Sequence, residues 1–467
     1  MPEHSKKRKI HKLLKQFEDA LNQQHATYFD IDDLEMLYHY FLDLGRYQKS
    51  LKVCELGLGL HPSAVDLLSL KSQALVNLNR YQEALETLEK AIDIQPSDVD
   101  LLTMKAHILS IDNQYEKAIT TLQTALQYSE FPEDVHYQIG LAHQQAGEYK
   151  LAVQAYKKSV EHNLEHEGAL YELAYCLDIM GELESSLDYY QKFIDQDPYS
   201  HLGWYNLGII YHKLGRNDKA AEAYQYAIVI REDFASAHFN LGNTYMSLNE
   251  FSKALDAYRS TADLEGPSAE TYFCMGEAYE KLKQYDLALK YYRKSYKLDN
   301  FNDEALFGIG KALNAQSKWY EALHFFKKAL KLSPENDTYW MNLAECEYKV
   351  GNTISSLEAY RHAAQLDPED PQIWLRWSFI YYEQGDYDKC ITLIINGLDE
   401  IPDDASLFYR AVAYFIAAGK YKEGLAYLEN ALILDFEKHQ ELFEFYPKLI
   451  NQKALLKIID QYRPEDK

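Results

Sequence analysis

The chain has 467 residues, with 48 Lys and Arg against 72 Asp and Glu and a formal net charge of −24. That balance disfavours a sequence-independent nucleic-acid binder, which needs clustered cations to neutralise phosphates, and it disfavours broad adhesion to anionic membranes. A length near three times the usual ~150 residues per domain suggests three domains, yet 12 Pro and 20 Gly are few for so many loops, and 40 Tyr call for a structural cause.

The first thirty residues lack the apolar core of a signal peptide, and no stretch of ~18 apolar residues follows that would span a bilayer. Five Cys (54, 176, 274, 346 and 390) form an odd set without a CxxC pair, so they read as small apolar fillers in a reducing compartment. A cytoplasmic protein without a metal site is expected. Residues 1–30 predict an amphipathic helix with Ile10, Leu13, Leu14, Phe17 and Leu21 on one face. Lys6, Lys7, Arg8, Lys9, Lys12 and Lys15 make it basic. It is either a membrane-peripheral or acidic-partner anchor or, the favoured reading, an N-terminal cap whose lysines meet the acidic body. The run Lys6-Lys7-Arg8-Lys9 also imitates a nuclear-import signal, although a short basic terminus needs only solubility to explain it.

From Ile31 the sequence repeats every 34 residues. Trp204, Leu207, Gly208, Tyr211, Ala220, Tyr224 and Ala227 align with Trp340–Pro368 at four times that period, and twelve units without insertion fill residues 31–438. Position 20 of the unit is small in all twelve, as Ser50, Ala84, Ala118, Ala152, Ser186, Ala220, Ala254, Ala288, Ala322, Ser356, Cys390 and Gly424. Position 27 is small in eleven, Phe193 being the exception, and position 8 is often Gly (140, 208, 242, 276, 310). Such columns mark close approach of two antiparallel helices. Aromatic residues at position 24 (Tyr156, Tyr190, Tyr224, Tyr258, Tyr292, Phe326, Tyr360) are expected to fill the seam to the next unit, and position 17 is aromatic in nine. Gly at position 15 in seven units ends the first helix, and Pro at position 32 in six ends the second.

On these residues the chain resembles the tetratricopeptide repeat family over residues 31–438. The resemblance implies an all-α, right-handed superhelical solenoid of stacked helix-turn-helix units. The ends differ from the pattern: Tyr38 takes the small position 8, while Phe408 and Gly424 are atypical in the last unit. Residues 439–467, with Leu442-Phe-Glu-Phe-Tyr446 and Leu449, Ile450, Leu455, Leu456, Ile458 and Ile459, predict a short helix, an amphipathic capping helix and a tail.

No catalytic set emerges. Gly308-Ile-Gly310-Lys-Ala-Leu313 lacks the third Gly and the preceding strand of a dinucleotide loop. His162 and His166 straddle a predicted helix end, and Asp30, Asp32 and Asp33 suit a helix entry. The sequence therefore points to a non-enzymatic scaffold or adaptor with no cofactor, whose partner is a protein or peptide.

In the resembled family the first helices line a concave groove through positions 2, 5, 6, 9, 12 and 13. At position 5 Tyr137, Tyr171, Tyr205, Phe239, Phe273 and Phe307 run unbroken, and they either grip a peptide or pack within the unit. Asn206, Asn240 and Asn342 at position 6, with Asn243 at position 9, match asparagines that in relatives bond a peptide backbone; Cys274 and Gly308 interrupt the ladder. The groove columns of units 1–5 carry Asp32, Glu35, Asp43, Asp66, Asp100, Asp134, Glu172 and Asp178 without Lys or Arg. Units 6–12 add Lys213, Lys281, Lys311, Lys349, Arg376 and Arg410. The carboxylate clamp of the family's chaperone-tail adaptors is matched at two of five places, by Asn342 and Arg376, so a specific adaptor of that kind is doubtful. A looser carboxylate site of Lys311, Asn342, Arg376 and Arg410 is expected, against solvated bases that balance acids such as Glu345. A membrane-peripheral assembly factor, or a regulatory subunit of a separately encoded enzyme, are the other readings.

Overall fold

The computed structural model describes residues 3–21 and 28–463, with the side chains of residues 3–8 outside the description. Every regular element among the described residues is a helix. The contacts divide the chain into two compact bodies, Met1–Glu232 and Asp233–Lys467.

After the leading helix Glu3–Leu21, helices come in twelve antiparallel pairs. In eleven of these pairs the first helix begins at position 1 of the 34-residue unit, as at Ile31, Val65, Val99, Glu167 and His201; in repeat 4 it begins one residue early, at Pro132. Each first helix runs 13 or 14 residues, and the second begins at position 17. Neighbouring helices pack in sequence order within each body, which makes an all-α solenoid of helix-turn-helix units.

The turn between the two helices is one residue in left-handed backbone, repeated at position 15 of every unit. Seven of these are Gly, with φ from 65° at Gly45 to 86° at Gly351. The other five are Asn79, Asn113, Asn249, Lys283 and Ser317 at φ of 58–60°. Asn tolerates this region through its short polar side chain, whereas Lys and Ser carry a steric cost. The tight turn expected from Gly in seven units thus persists in the five that lack it.

The position-24 ring lies on the position-8 glycine of its own repeat. A Cβ on Gly140 would stand 2.3 Å from Tyr156, and one on Gly242, Gly276 or Gly310 would stand 2.5, 2.5 or 2.4 Å from Tyr258, Tyr292 or Phe326. The ring also reaches the seam to the next unit, where Tyr190 meets Asn206 and Tyr258 meets Cys274. Only Tyr292 also meets a glycine of the following repeat, with 2.7 Å to a Cβ on Gly308. The alanines at position 20 from Ala84 to Ala322 are fully buried. Gly308 and Gly310 lie inside the helix Asp303–Ala315, beneath rings rather than at a phosphate loop.

Repeat 5 departs from the others. Its second helix opens with a 3-10 turn, Leu183–Ser186, before the α-helix Leu187–Gln196. Leu183 stands where nine repeats place an aromatic residue. Phe193, the one large residue at position 27, is accommodated because its neighbour is Gly203, where a Cβ would sit 2.6 Å from the ring.

At the N-terminal end Leu13 and Phe17 are buried, Phe17 lies 5.7 Å from Phe41, and Lys9 pairs with Asp33 at 2.7 Å. Leu21 is 42% exposed. The basic side chains of Lys6, Lys7 and Arg8 lie outside the described residues. At the other end come the helix His439–Phe445, a 3-10 turn Pro447–Asn451 and the helix Lys453–Gln461, with Leu442, Leu449, Leu455 and Ile459 buried against the last repeat.

Three outcomes are expected. Gly276→Val drives a side chain into Tyr292 and lowers stability by about 1–3 kcal/mol in urea denaturation. Lys283→Gly removes a left-handed lysine and raises it by a few tenths to about 1 kcal/mol. All five thiols are free, and burial pushes Cys54, Cys274, Cys346 and Cys390 up to about 12 and Cys176 up to about 11. All five are therefore protonated at pH 7 and react slowly with a thiol-titrating disulfide until the protein is denatured.

Candidate peptide-binding groove

The groove residues stand on the first helices, whose entries are held locally. The side chains of Asp98, Asn302, Asn336 and Asp404 each accept a backbone N–H three residues on, and Asp370 accepts one two residues on. Asp32 and Asp33 occupy the first turn of Ile31–Asp43, where carboxylates complement the helix dipole. His166 is likewise a helix cap, accepting from the Ala169 N–H and lying 3.3 Å from Asp134, while His162 ends the preceding helix. Among the described residues no group of His, Cys, Asp or Glu has the arrangement of a metal site, and no helix is long and apolar enough to cross a membrane.

Most of the position-5 aromatic row packs within its own repeat. Tyr137 lies 5.9 Å from Tyr156, Tyr205 5.8 Å from Tyr224, Phe239 5.7 Å from Tyr258, and both Phe273–Tyr292 and Phe307–Phe326 are 5.6 Å apart. Phe307 also stacks on Tyr339 at 4.3 Å. Tyr171 differs in being 52% exposed. The tyrosines at position 24 send their hydroxyls toward the first-helix face. Tyr156 donates to Gln144 at 2.5 Å, Tyr258 to Asn243 Oδ1 at 2.8 Å, and Tyr292 to Glu280 at 2.7 Å. Asn243 thus serves an internal bond. Asn206 faces the Tyr190 hydroxyl, Asn240 is half-buried on its helix, and the Asn342 amide donates to the Thr338 carbonyl one turn earlier at 2.9 Å.

In the body of residues 1–232 the first-helix face is open and acidic. One cavity of about 480 Å³ is lined by Gln73, Val76, Asn77, Asp100, Thr103, Met104 and His107, among others. A second, of about 440 Å³, adds Glu130, Phe131 and Asp134. Neither is lined by Lys or Arg. Burial raises the Glu35 carboxyl, and Asp66 and Asp32 reinforce the shift. Further along, Tyr171, Tyr175, Asp178, Leu183, Tyr190, Asn206, Ile210 and Lys213 surround a smaller cavity of about 130 Å³. Lys213 is taken up by Asp178.

In the body of residues 233–467 the cations of the face are shared unequally. Lys311 binds Glu280 at 2.8 Å and lies over Phe307. Glu277 beside them has its carboxyl raised by burial. Arg376 binds Glu345 at 2.8 Å. Arg410 has no carboxylate partner; its guanidinium stands 3.8 Å over the Phe445 ring. Phe445 comes from the helix His439–Phe445 and sits among Phe379, Tyr382 and Tyr414, at 6.0, 5.1 and 5.8 Å. Arg376, Arg410, Lys349, Glu345, Glu383 and Phe445 help line one cavity of about 390 Å³. The structure therefore brings Arg376 and Arg410 to a common space, while Lys311 and Asn342 do not line it. Phe445, Lys349 and Glu383 were missing from the expected site. The aromatic cluster after the last repeat was the available signal for Phe445, since a purely capping helix has no need of so many rings.

Tetratricopeptide repeat profiles match along most of the chain. The N-terminal TPR repeats region of Psidin matches residues 34–163, and tetratricopeptide repeat profiles match 137–201, 189–222, 237–270, 269–302 and 307–371, with a TPR repeat at 210–248. No curated protein sequence matches. Similar solved structures include YrrB, described as a TPR protein with an unusual peptide-binding site, at 21% identity over 40% of this chain and 96% of that one (TM-score 0.35). They also include the APC/C hetero-tetramer Cut9–Hcn1, at 15% identity over 85% and 97% (TM-score 0.39), and MamA, at 28% identity over 35% and 95% (TM-score 0.32). With its helix pairs, its left-handed turn every 34 residues and these matches, the chain belongs to the tetratricopeptide repeat family.

Proposed function

We propose that this protein is a non-enzymatic, cytoplasmic scaffold that binds a segment of another protein along the face formed by its first helices. The observation that carries this reading is Arg410, a cation without a carboxylate partner, stacked on Phe445 at the edge of a 390 Å³ cavity. A guanidinium resting on an aromatic ring is favoured by the ring's negative face, and its planar fork suits a carboxylate. Arg376 contributes by exchanging Glu345 for an incoming carboxylate, and Lys349 adds a solvated charge. Asn206, Asn240, Asn342, Lys311 and the aromatic row are contacts along the rest of the track. The family's role as an interaction module and the dense use of the chain for repeats support a binding rather than a catalytic role.

Affinity purification followed by titration of the purified partner tests this. The double variant Arg376→Glu/Arg410→Glu is expected to keep its helical circular dichroism and to bind the partner at least about tenfold more weakly, in line with loss of a charged hydrogen-bond pair. Unchanged affinity would show that the partner lies elsewhere.

A further inference from the structure

The second helices of repeats 8 and 9 reverse the charge of the chain. Residues 281–331 hold eleven Lys and Arg against five Asp and Glu, in a protein of net charge −24. Tyr285–Leu298 carries Lys290, Arg293, Lys294 and Lys297, spaced three or four residues apart and so on one helix face. Trp319–Leu332 repeats the last three as Lys327, Lys328 and Lys331 at positions 25, 26 and 29. The repeat packing does not ask for them. The same three positions are Arg259, Ser260 and Asp263 in repeat 7, and Ile395, Asn396 and Asp399 in repeat 11.

Like charges three and four residues apart destabilise a helix, and little in the protein offsets these. Lys297 and Lys331 suit the last turns of their helices. Lys294 lies over the Tyr272 and Tyr291 rings at 4.7 and 4.9 Å. Among the described residues only Lys327 of the seven meets a carboxylate, that of Glu347 at 2.7 Å. Arg293 lacks one for a traceable reason. Position 25 reaches position 11 of the next first helix: Arg259 donates to the Tyr279 hydroxyl at 2.8 Å, as Lys327 pairs with Glu347. For Arg293 that position is Leu313, which is buried and has no side-chain acceptor. Arg293 is exposed, and so are Lys290, Lys297, Lys328 and Lys331.

We propose that this basic ridge is a docking surface for an acidic segment of a partner protein. The Arg293 fork takes one Asp or Glu carboxylate, and the lysines around it neutralise the neighbouring acids of the segment. The ridge is two helices wide. Before it, Phe251–Glu265 has two bases and three acids. Beyond it, Thr353–Leu366 has one of each, and Tyr387–Glu400 has one base and three acids. A duplex or an anionic membrane would span those helices too and meet like charge, whereas a short peptide stays within a Debye length of the ridge. The site lies on second helices and is independent of the first-helix groove.

The test is a positional-scanning array of N-acetylated, C-amidated decapeptides on the full chain, followed by fluorescence anisotropy with the selected peptide. The array is expected to select Asp or Glu at several positions, with affinity that falls as salt rises. Arg293→Glu/Lys328→Glu weakens binding at least about tenfold. It leaves the melting temperature unchanged or higher, because crowded like charges are relieved. The matched reversal Lys422→Glu/Lys448→Glu, elsewhere on the same body, stays within about twofold of wild type, and so does Arg376→Glu/Arg410→Glu. Selection of basic peptides, no selection at all, or wild-type affinity in Arg293→Glu/Lys328→Glu overturns the inference. Affinity lost in Arg376→Glu/Arg410→Glu and kept in Arg293→Glu/Lys328→Glu overturns it while leaving the groove reading intact. Labelled oligothymidylate or phosphatidylserine vesicles that bind the wild type more tightly than the selected peptide, and are released by Arg293→Glu/Lys328→Glu, overturn it in favour of a nucleic acid or a membrane.

Discussion

In the middle repeats the fold depends on one contact, an aromatic ring laid on a glycine between the two helices, found in repeats 4 and 6–9. With Gly at position 8 the helices approach until the ring at position 24 fills the gap, leaving no room for even a methyl group. Close packing of this kind sets the distance between helices, and the distance sets which positions face the next repeat. The ring at position 5 then covers the first ring from the groove side. An aromatic row that looks like a binding ladder is, for most of its length, the outer layer of that packing.

Function follows where this packing is relaxed or overlaid. In repeat 5 Ala174 takes the glycine position and the second helix opens with a 3-10 turn, and a cavity of about 130 Å³ lies between Tyr171, Tyr175 and Asn206. At the C-terminal end Phe445 folds onto Phe379, Tyr382 and Tyr414 and gives Arg410 a surface on which to stack. The two places differ in charge. In the first body Asp100 and Asp134 line cavities without cations, whereas in the second body Glu280, Glu345 and Glu383 are engaged by Lys311, Arg376 and the Tyr348 hydroxyl. A face with such a division favours partners whose charge is divided in the opposite sense.

Much of the fold was legible because a 34-residue period makes weak signals add. Small residues at positions 20 and 27 and Gly at position 15 would mean little once, but repeated in register they define helix ends and close approaches. The five turns without Gly were not legible, because Asn79 or Lys283 carries no local sign that its backbone must be left-handed; neighbouring helices impose it. Of the site, the positions facing the groove were legible and the state of each side chain was not. Lys311, Arg376 and Arg410 look alike in sequence. One is bound to Glu280, one to Glu345, and one rests on a ring supplied from 35 residues away.

The sequence by itself determined the helices, their lengths, their order and the residues that separate them, since each follows from periodicity and from the sterics of Gly, Ala and Pro within one unit. Tertiary structure alone decided which cations are paired and where the helix after the last repeat places Phe445. Those outcomes depend on contacts between repeats, where a carboxylate, an amide and a ring from distant positions compete for the same neighbour, and no local pattern records which one wins.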